Sequence, residues 1–204
     1  FVHKSYCTMI DYEEYSKPDN CLPLFDESYE TMEFLGDSFL SNSITTYLFK
    51  RYANVHKMNE GFLTKLKIRF VCGEQLAFLS KQLGFNNYII LSKHIEDNCN
   101  GRQNIHILED VFEAFLGALY LDTDNYQLVD QFIIRCIETY IDFSELILKD
   151  NNYKDQILRY FQHNYKVHPI YRTEKDEITG QFLCEIFKED ECIQKGNGNT
   201  KKKA

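Results

Sequence analysis

A chain of 204 residues has room for one or two domains, and 44% hydrophobic with 15% aromatic residues is ample for a packed core. No apolar run reaches the roughly 18 residues needed to span a bilayer, which excludes a membrane-spanning helix from the expectation. The net charge of −8 argues against a uniformly basic nucleic-acid binder, but residues 1–149 carry 13 Lys and Arg against 22 Asp and Glu, whereas residues 150–204 carry 10 against 9.

Residues 1–6 read as the end of a helix cut short. No signal peptide is visible, and a chain that begins at Phe1 is expected to lack its native N-terminus, whose targeting content is unknown. Residues 7–28 hold Asp11, Glu13, Glu14, Pro18, Pro23, Asp26 and Glu27 without a sustained period and read as a loop, a surface insertion. Helical periodicity then covers 29–53, 60–84, 103–121 and 125–142. Tyr88-Ile89-Ile90-Leu91 is a short apolar connector and Asp97–Gln103 a polar loop. The chain changes character near Ser144–Asn152. Tyr153–Tyr165 has helical spacing through Ile157, Leu158 and Phe161. Three strand-like runs follow, Ile170–Thr173, Phe182–Phe187 and Glu191–Gln194, with turn signals such as Thr179-Gly180 between them. A glycine-rich and then lysine-rich stretch from Lys195 closes the chain. The expected fold class is an all-helical domain over 1–145 followed by an αβββ unit over 150–204.

Chemistry concentrates in two helices. In Tyr29-Glu30-Thr31-Met32-Glu33-Phe34-Leu35-Gly36-Asp37-Ser38-Phe39-Leu40, the acids Glu30, Glu33 and Asp37 fall at i, i+3 and i+7 and share one face. Ile107-Leu108-Glu109-Asp110-Val111-Phe112-Glu113-Ala114-Phe115-Leu116-Gly117 reads as a nearly wholly apolar, buried helix, with Asp110 and Glu113 at i, i+3. A solvated helix face is the ordinary reading of such spacing. Acids embedded twice in long apolar helices need more, because buried charge is costly unless it is compensated. Bringing the two helices together would gather Glu33, Asp37, Asp110 and Glu113 into one acidic cluster. Such a cluster suits a hard divalent cation such as Mg²⁺, which prefers carboxylate oxygens and water. It can then activate a water and stabilise a phosphoryl transition state. Gly36 and Gly117 let helices approach closely.

Seven cysteines, Cys7, Cys21, Cys72, Cys99, Cys136, Cys184 and Cys192, are odd in number and include no Cys-x-x-Cys. With scattered histidines they give no zinc-ligand spacing. Free thiols in a reducing, intracellular compartment are the expectation.

Glu33-Phe34-Leu35-Gly36-Asp37-Ser38 resembles the signature of the ribonuclease III family, and Asp110-Val111-Phe112-Glu113-Ala114 resembles its second motif. Val2-His3-Lys4-Ser5-Tyr6 is similar to the segment that precedes the signature, and Glu60-Gly61-Phe62-Leu63-Thr64 to the start of the family's next helix. The four matches keep the family's order over most of the chain. The resemblance implies a helical endonuclease domain and a double-stranded RNA-binding domain lacking most of its last helix. It implies Glu33, Asp37, Asp110 and Glu113 as catalytic carboxylates holding Mg²⁺, with Mn²⁺ as a substitute. Glu30 and Glu60 match acids near the dimer interface that support the metal site or the RNA. Phe34 matches an aromatic that packs across the dimer, with an ordinary core role as the alternative. Gln162, Lys201, Lys202 and Lys203 would contact RNA. Lys65, Lys67 and Arg69 would either reach phosphate or lie on a solvated helix face.

The implied activity is hydrolysis of duplex RNA by a homodimer, each copy cutting one strand to leave 5′ phosphates and short 3′ overhangs. One ion would present an acidified water and a second, about 4 Å away, would stabilise the leaving oxygen. Small-RNA production in the manner of Dicer and ribosomal RNA processing are both compatible roles. Two departures stand out. Lys175-Asp176-Glu177-Ile178-Thr179-Gly180 does not match the Gly-Pro-x-His loop of many such RNA-binding domains, and Asp155 and Leu158 stand where a polar contact residue is expected. A catalytically weak protein that binds or sequesters duplex RNA is the alternative.

Overall fold

The computed structural model describes residues 1–8, 22–23, 25–148, 153–176 and 179–200, which divide between two compact units, Phe1–Leu148 and Lys149–Ala204. Most of the predicted insertion at 7–28 and the lysines Lys201, Lys202 and Lys203 lie outside the described residues.

The first unit is helical: α1 (Lys4–Cys7), α2 (Glu30–Leu48), α3 (Glu60–Phe70), α4 (Gly73–Gln82), α5 (Lys93–Cys99), α6 (Ile105–Thr123), α7 (Tyr126–Tyr140) and α8 (Phe143–Leu148). Helix α6 is apolar nearly all round and is therefore the element the others cover. Its Leu108, Val111, Phe112 and Leu116 are fully buried, and it packs on α2, α4 and α7. Each such side chain taken from water contributes about 1.5–3 kcal/mol. Asparagines set the starts of three helices: the side chains of Asn59, Asn104 and Asn125 accept from the amides of Phe62, His106 and Leu128. Asp124, in the left-handed conformation, ends α6.

Several predicted boundaries move. Residues 1–3 are extended, not helical: Val2 bridges Ile90 in parallel, and only Lys4–Cys7 form a helical turn, capped by His3. The predicted helix over 60–84 is two helices, because Cys72 is extended and Gly73 restarts the helix. The polar loop at 97–103 is partly helical; α5 runs to Cys99 and ends where Asn100 turns left-handed. The helix from residue 29 ends in a wider π-helical turn over Phe49–Asn54.

The second unit pairs α9 (Tyr153–Asn164) with an antiparallel sheet of β1 (Ile170–Lys175), β2 (Phe182–Lys188) and β3 (Glu191–Gly198), in that order. Phe161 of α9 and Phe187 of β2 are its buried aromatics. Strand β3 continues through the glycine-rich stretch placed after it in the sequence reading: Gly196 pairs with Cys184 and Gly198 with Phe182. Cross-strand hydrogen bonding overrides the low strand preference of glycine here. No helix among the described residues is long and apolar enough to cross a membrane.

Helices α2 and α6 cross with no side chain between them. A Cβ on Gly36 would lie 1.8 Å from the Glu113 carbonyl oxygen, and one on Gly117 would lie 2.1 Å from that of Met32. The contact is backbone to backbone, so neither neighbour can swing aside. Gly36→Ala should therefore cost about 2–4 kcal/mol or prevent folding, read as a lowered melting temperature in thermal denaturation. An unchanged melting temperature would contradict the observed crossing.

Candidate active site

The start of α2 is fixed from below. Phe1 and His3 hydrogen-bond on either side of Ile90, whose amide donates to the Phe1 carbonyl at 2.8 Å and whose carbonyl accepts from His3 at 3.0 Å. The Tyr29 amide then donates to the Val2 carbonyl at 2.9 Å, and the Tyr29 carbonyl accepts from Met32 and Glu33. The Tyr29 ring is buried with Ala77 of α4 and with Ile107, Leu108, Val111 and Ala114 of α6. Its phenol raises the question the acids pose, since its hydroxyl is buried and lacks a hydrogen-bond partner.

From that anchor α2 carries Glu30, Glu33 and Asp37 along one face. Glu30 is exposed and paired: Lys4 Nζ donates to it at 2.9 Å and Ser28 Oγ at 3.3 Å. The Lys4 hydrogen bond holds the Glu30 carboxyl below its usual range. Glu33 is half-buried, and Asp37 one turn on is exposed. The Gly36–Glu113 contact sets α6 directly against this face, bringing up the half-buried Asp110 and Glu113.

The charges of the acids meet at Glu113. Burial, reinforced by the charges of Asp37, Glu109, Glu33 and Asp110, pushes the Glu113 carboxyl up to about 8. Burial and then Asp110 and Glu30 raise Glu33, against the opposing pull of Lys4. Burial and then Glu109 raise Asp110, opposed by His106 and Lys4. Three upward shifts led by burial and like charge mark carboxylates whose charge the protein leaves uncompensated. Lys4 and His106 supply the opposing positive charge, yet Lys4 is committed to Glu30 and His106 lies 3.6 Å from Glu109.

Glu109 belongs to this field and was not singled out from the sequence. Its carboxylate lies against the first residue of α4, where a Cβ on Gly73 would be 2.3 Å away. The available signal was its i, i+4 spacing to Glu113, which puts both on one stripe of α6. Glu60 is engaged within its own helix, accepting from the Thr64 hydroxyl at 2.7 Å. Phe34 is 80% exposed, so within this chain it is not a core residue. Lys67 and Arg69 do not lie on a freely solvated helix face. Partly buried Lys67 donates to Ser41 Oγ at 2.7 Å, and Arg69 donates to the carbonyls of Leu146 and Ile147 at 2.8 and 3.1 Å. In the second unit Gln162 is exposed on α9.

Among the described residues no three acids, histidines or cysteines come together closely enough to hold a metal ion as a group. Mg²⁺ needs no such group, since it binds through one or two carboxylates and keeps several waters. The donor set fits such an ion: hard oxygens, three of the four half-buried, with the charges of the other three repelling that of Glu113.

Residues 30–124 match the ribonuclease III domain. A probable ribonuclease 3 of Acanthamoeba polyphaga mimivirus is 40% identical over 186 residues, which cover 88% of this chain and 32% of that protein. Ribonuclease 3 of Borreliella afzelii is 33% identical over 207 residues, covering 99% of this chain and 77% of that one. The nuclease domain of ribonuclease III from Campylobacter jejuni superposes with a TM-score of 0.54 at 28% identity, over 69% of this chain and 82% of that one. The fold, the paired acidic helices and these likenesses agree, and the chain belongs to the ribonuclease III family of endoribonucleases.

Proposed function

We propose that this chain hydrolyses the phosphodiester bonds of double-stranded RNA as a homodimer, using Mg²⁺ held by Glu33, Asp37, Asp110 and Glu113. The observation that carries the proposal is the set of uncompensated carboxylates across the α2–α6 crossing, inside the family match. A divalent ion bound there supplies an acidified water and neutralises charge developing on the phosphate, with Mn²⁺ able to substitute and a second ion serving the leaving oxygen. The chain's own groups prepare for this. Glu113 gives up its proton as a cation replaces it, which couples occupancy to pH. Lys4 neutralises Glu30 and leaves the acids beyond it free to act as ligands. The Gly36 and Gly117 contacts fix the spacing of the two acidic faces before substrate arrives.

Duplex recognition falls to the second unit in this reading. Its αβββ order, with Gln162 exposed on the helix, supports binding across the shallow minor groove of A-form RNA, where shape and 2′-hydroxyls are read more than sequence. Pairing of two copies is supported by Phe34, which is 80% exposed within the acidic signature and whose ring has little reason to face water. The Campylobacter jejuni structure is described for flexibility in its dimer-forming region. Two paired sites would cut both strands and leave 5′ phosphates with short 3′ overhangs.

A long duplex RNA should be cut by the wild-type chain in Mg²⁺ and left intact in EDTA. Glu113→Ala should lower the rate by at least about 10³-fold, while retaining RNA binding in a mobility-shift assay. Wild-type binding without cutting would replace this reading with that of a sequestering protein. Fragment lengths would separate a fixed-length, Dicer-like cutter from a site-selective processing enzyme. In sedimentation velocity, Phe34→Ala should shift the dimer to monomer; a variant that stays dimeric would place the interface elsewhere.

A further inference from the structure

Tyr29 sits where the two acidic faces begin. It is the residue before α2, and Glu33 lies one helical turn on from it. Its ring is buried in one cluster with Ile107, Val111 and Ala114 of α6, and Asp110 falls on that same stripe, one turn from Ile107 and from Ala114. The side chain is 4% exposed, and its hydroxyl has no hydrogen-bond partner. A buried hydroxyl without a partner is costly, and a phenylalanine would fill the same apolar nest without that cost. The acids nearest in effect are Asp110, then Glu33, then Glu30, whose charges add to burial in holding the phenol protonated. The hydroxyl is thus held as a hydrogen-bond donor in the field of these acids.

We infer that Tyr29 is a positioning residue of the acidic site: with a divalent cation bound, its hydroxyl donates to the Asp110 carboxylate, directly or through one water, and fixes which oxygen faces the ion. Metal-binding carboxylates are commonly held in this way by a neighbouring donor, and losing it weakens the site without removing a ligand. The inference rests on the metal reading proposed above. It explains why a polar group occupies the nest beneath α2 when the free protein gives it nothing to bind.

Tyr29→Phe removes the hydroxyl alone and keeps the ring packing. Mn²⁺ binding to the full chain, followed by electron paramagnetic resonance of the free ion, should weaken by about tenfold in this variant. Melting of the metal-free protein should stay the same or rise slightly, because the lost hydroxyl had no partner to lose. Unchanged Mn²⁺ affinity would overturn the inference, and so would weakened affinity accompanied by a lower metal-free melting temperature, which marks a structural role. Glu113→Gln separates the two readings. If it binds Mn²⁺ as wild type does, the metal site itself is wrong and the role of Tyr29 falls with it; if it loses binding while Tyr29→Phe does not, the role of Tyr29 alone is wrong.

Discussion

Two glycines decide what this protein can do. Gly36 and Gly117 let α2 and α6 touch through their backbones, with Cβ positions only 1.8 and 2.1 Å from the opposing carbonyls. Any larger residue would hold the helices apart, and the carboxylates they carry would return to separate, solvated faces. Crossing this closely puts Glu113 in the field of Asp37, Glu33 and Asp110. The apolar remainder of α6, buried against α2, α4 and α7, holds the crossing in place. Hydrophobic burial therefore supplies the free energy that holds like charges together, and the acids are left short of cations by construction.

The surrounding groups are consistent with that design. The Phe1–His3 strand, bridged to Ile90, fixes the point at which α2 starts. Lys4, delivered by the short helix that follows, meets Glu30 and not the deeper acids. Helix α4 begins at Gly73, which leaves room for the Glu109 carboxylate. Each piece lies outside the α2–α6 pair, yet each sets the position or the charge of a group at the crossing. The second unit keeps a separate fold, and its near-neutral balance contrasts with the acidic first unit.

Much of this was legible in the sequence because it rests on local periodicity. The apolar run of α6, the i, i+3, i+7 acids of α2 and the two glycines could be placed on helix faces without knowing what covered them. The αβββ order was likewise visible from alternation and turn residues. The rest depends on partners distant in sequence. A break at Cys72-Gly73 inside an unbroken apolar pattern becomes visible only when Glu109, some 36 positions on, takes the space beside Gly73. The strand through Lys195-Gly196-Asn197-Gly198 is made by its ladder with Phe182–Glu185, against the preferences of its own residues. Neither the burial of Tyr29 nor its unpartnered hydroxyl can be read from spacing. Arg69, read as a phosphate ligand or a surface residue, instead binds the carbonyls that end α8.

The central claim is that the crossing builds an acidic site short of positive charge and suited to a divalent ion. Carboxyl carbon NMR titration of Glu113, without and with Mg²⁺, tests it most directly. Metal-free protein should show Glu113 titrating near 8, and saturating Mg²⁺ should lower that midpoint by at least about two units as the ion replaces the proton. A midpoint near 4.5, the ordinary value for this group, in both conditions would contradict the account.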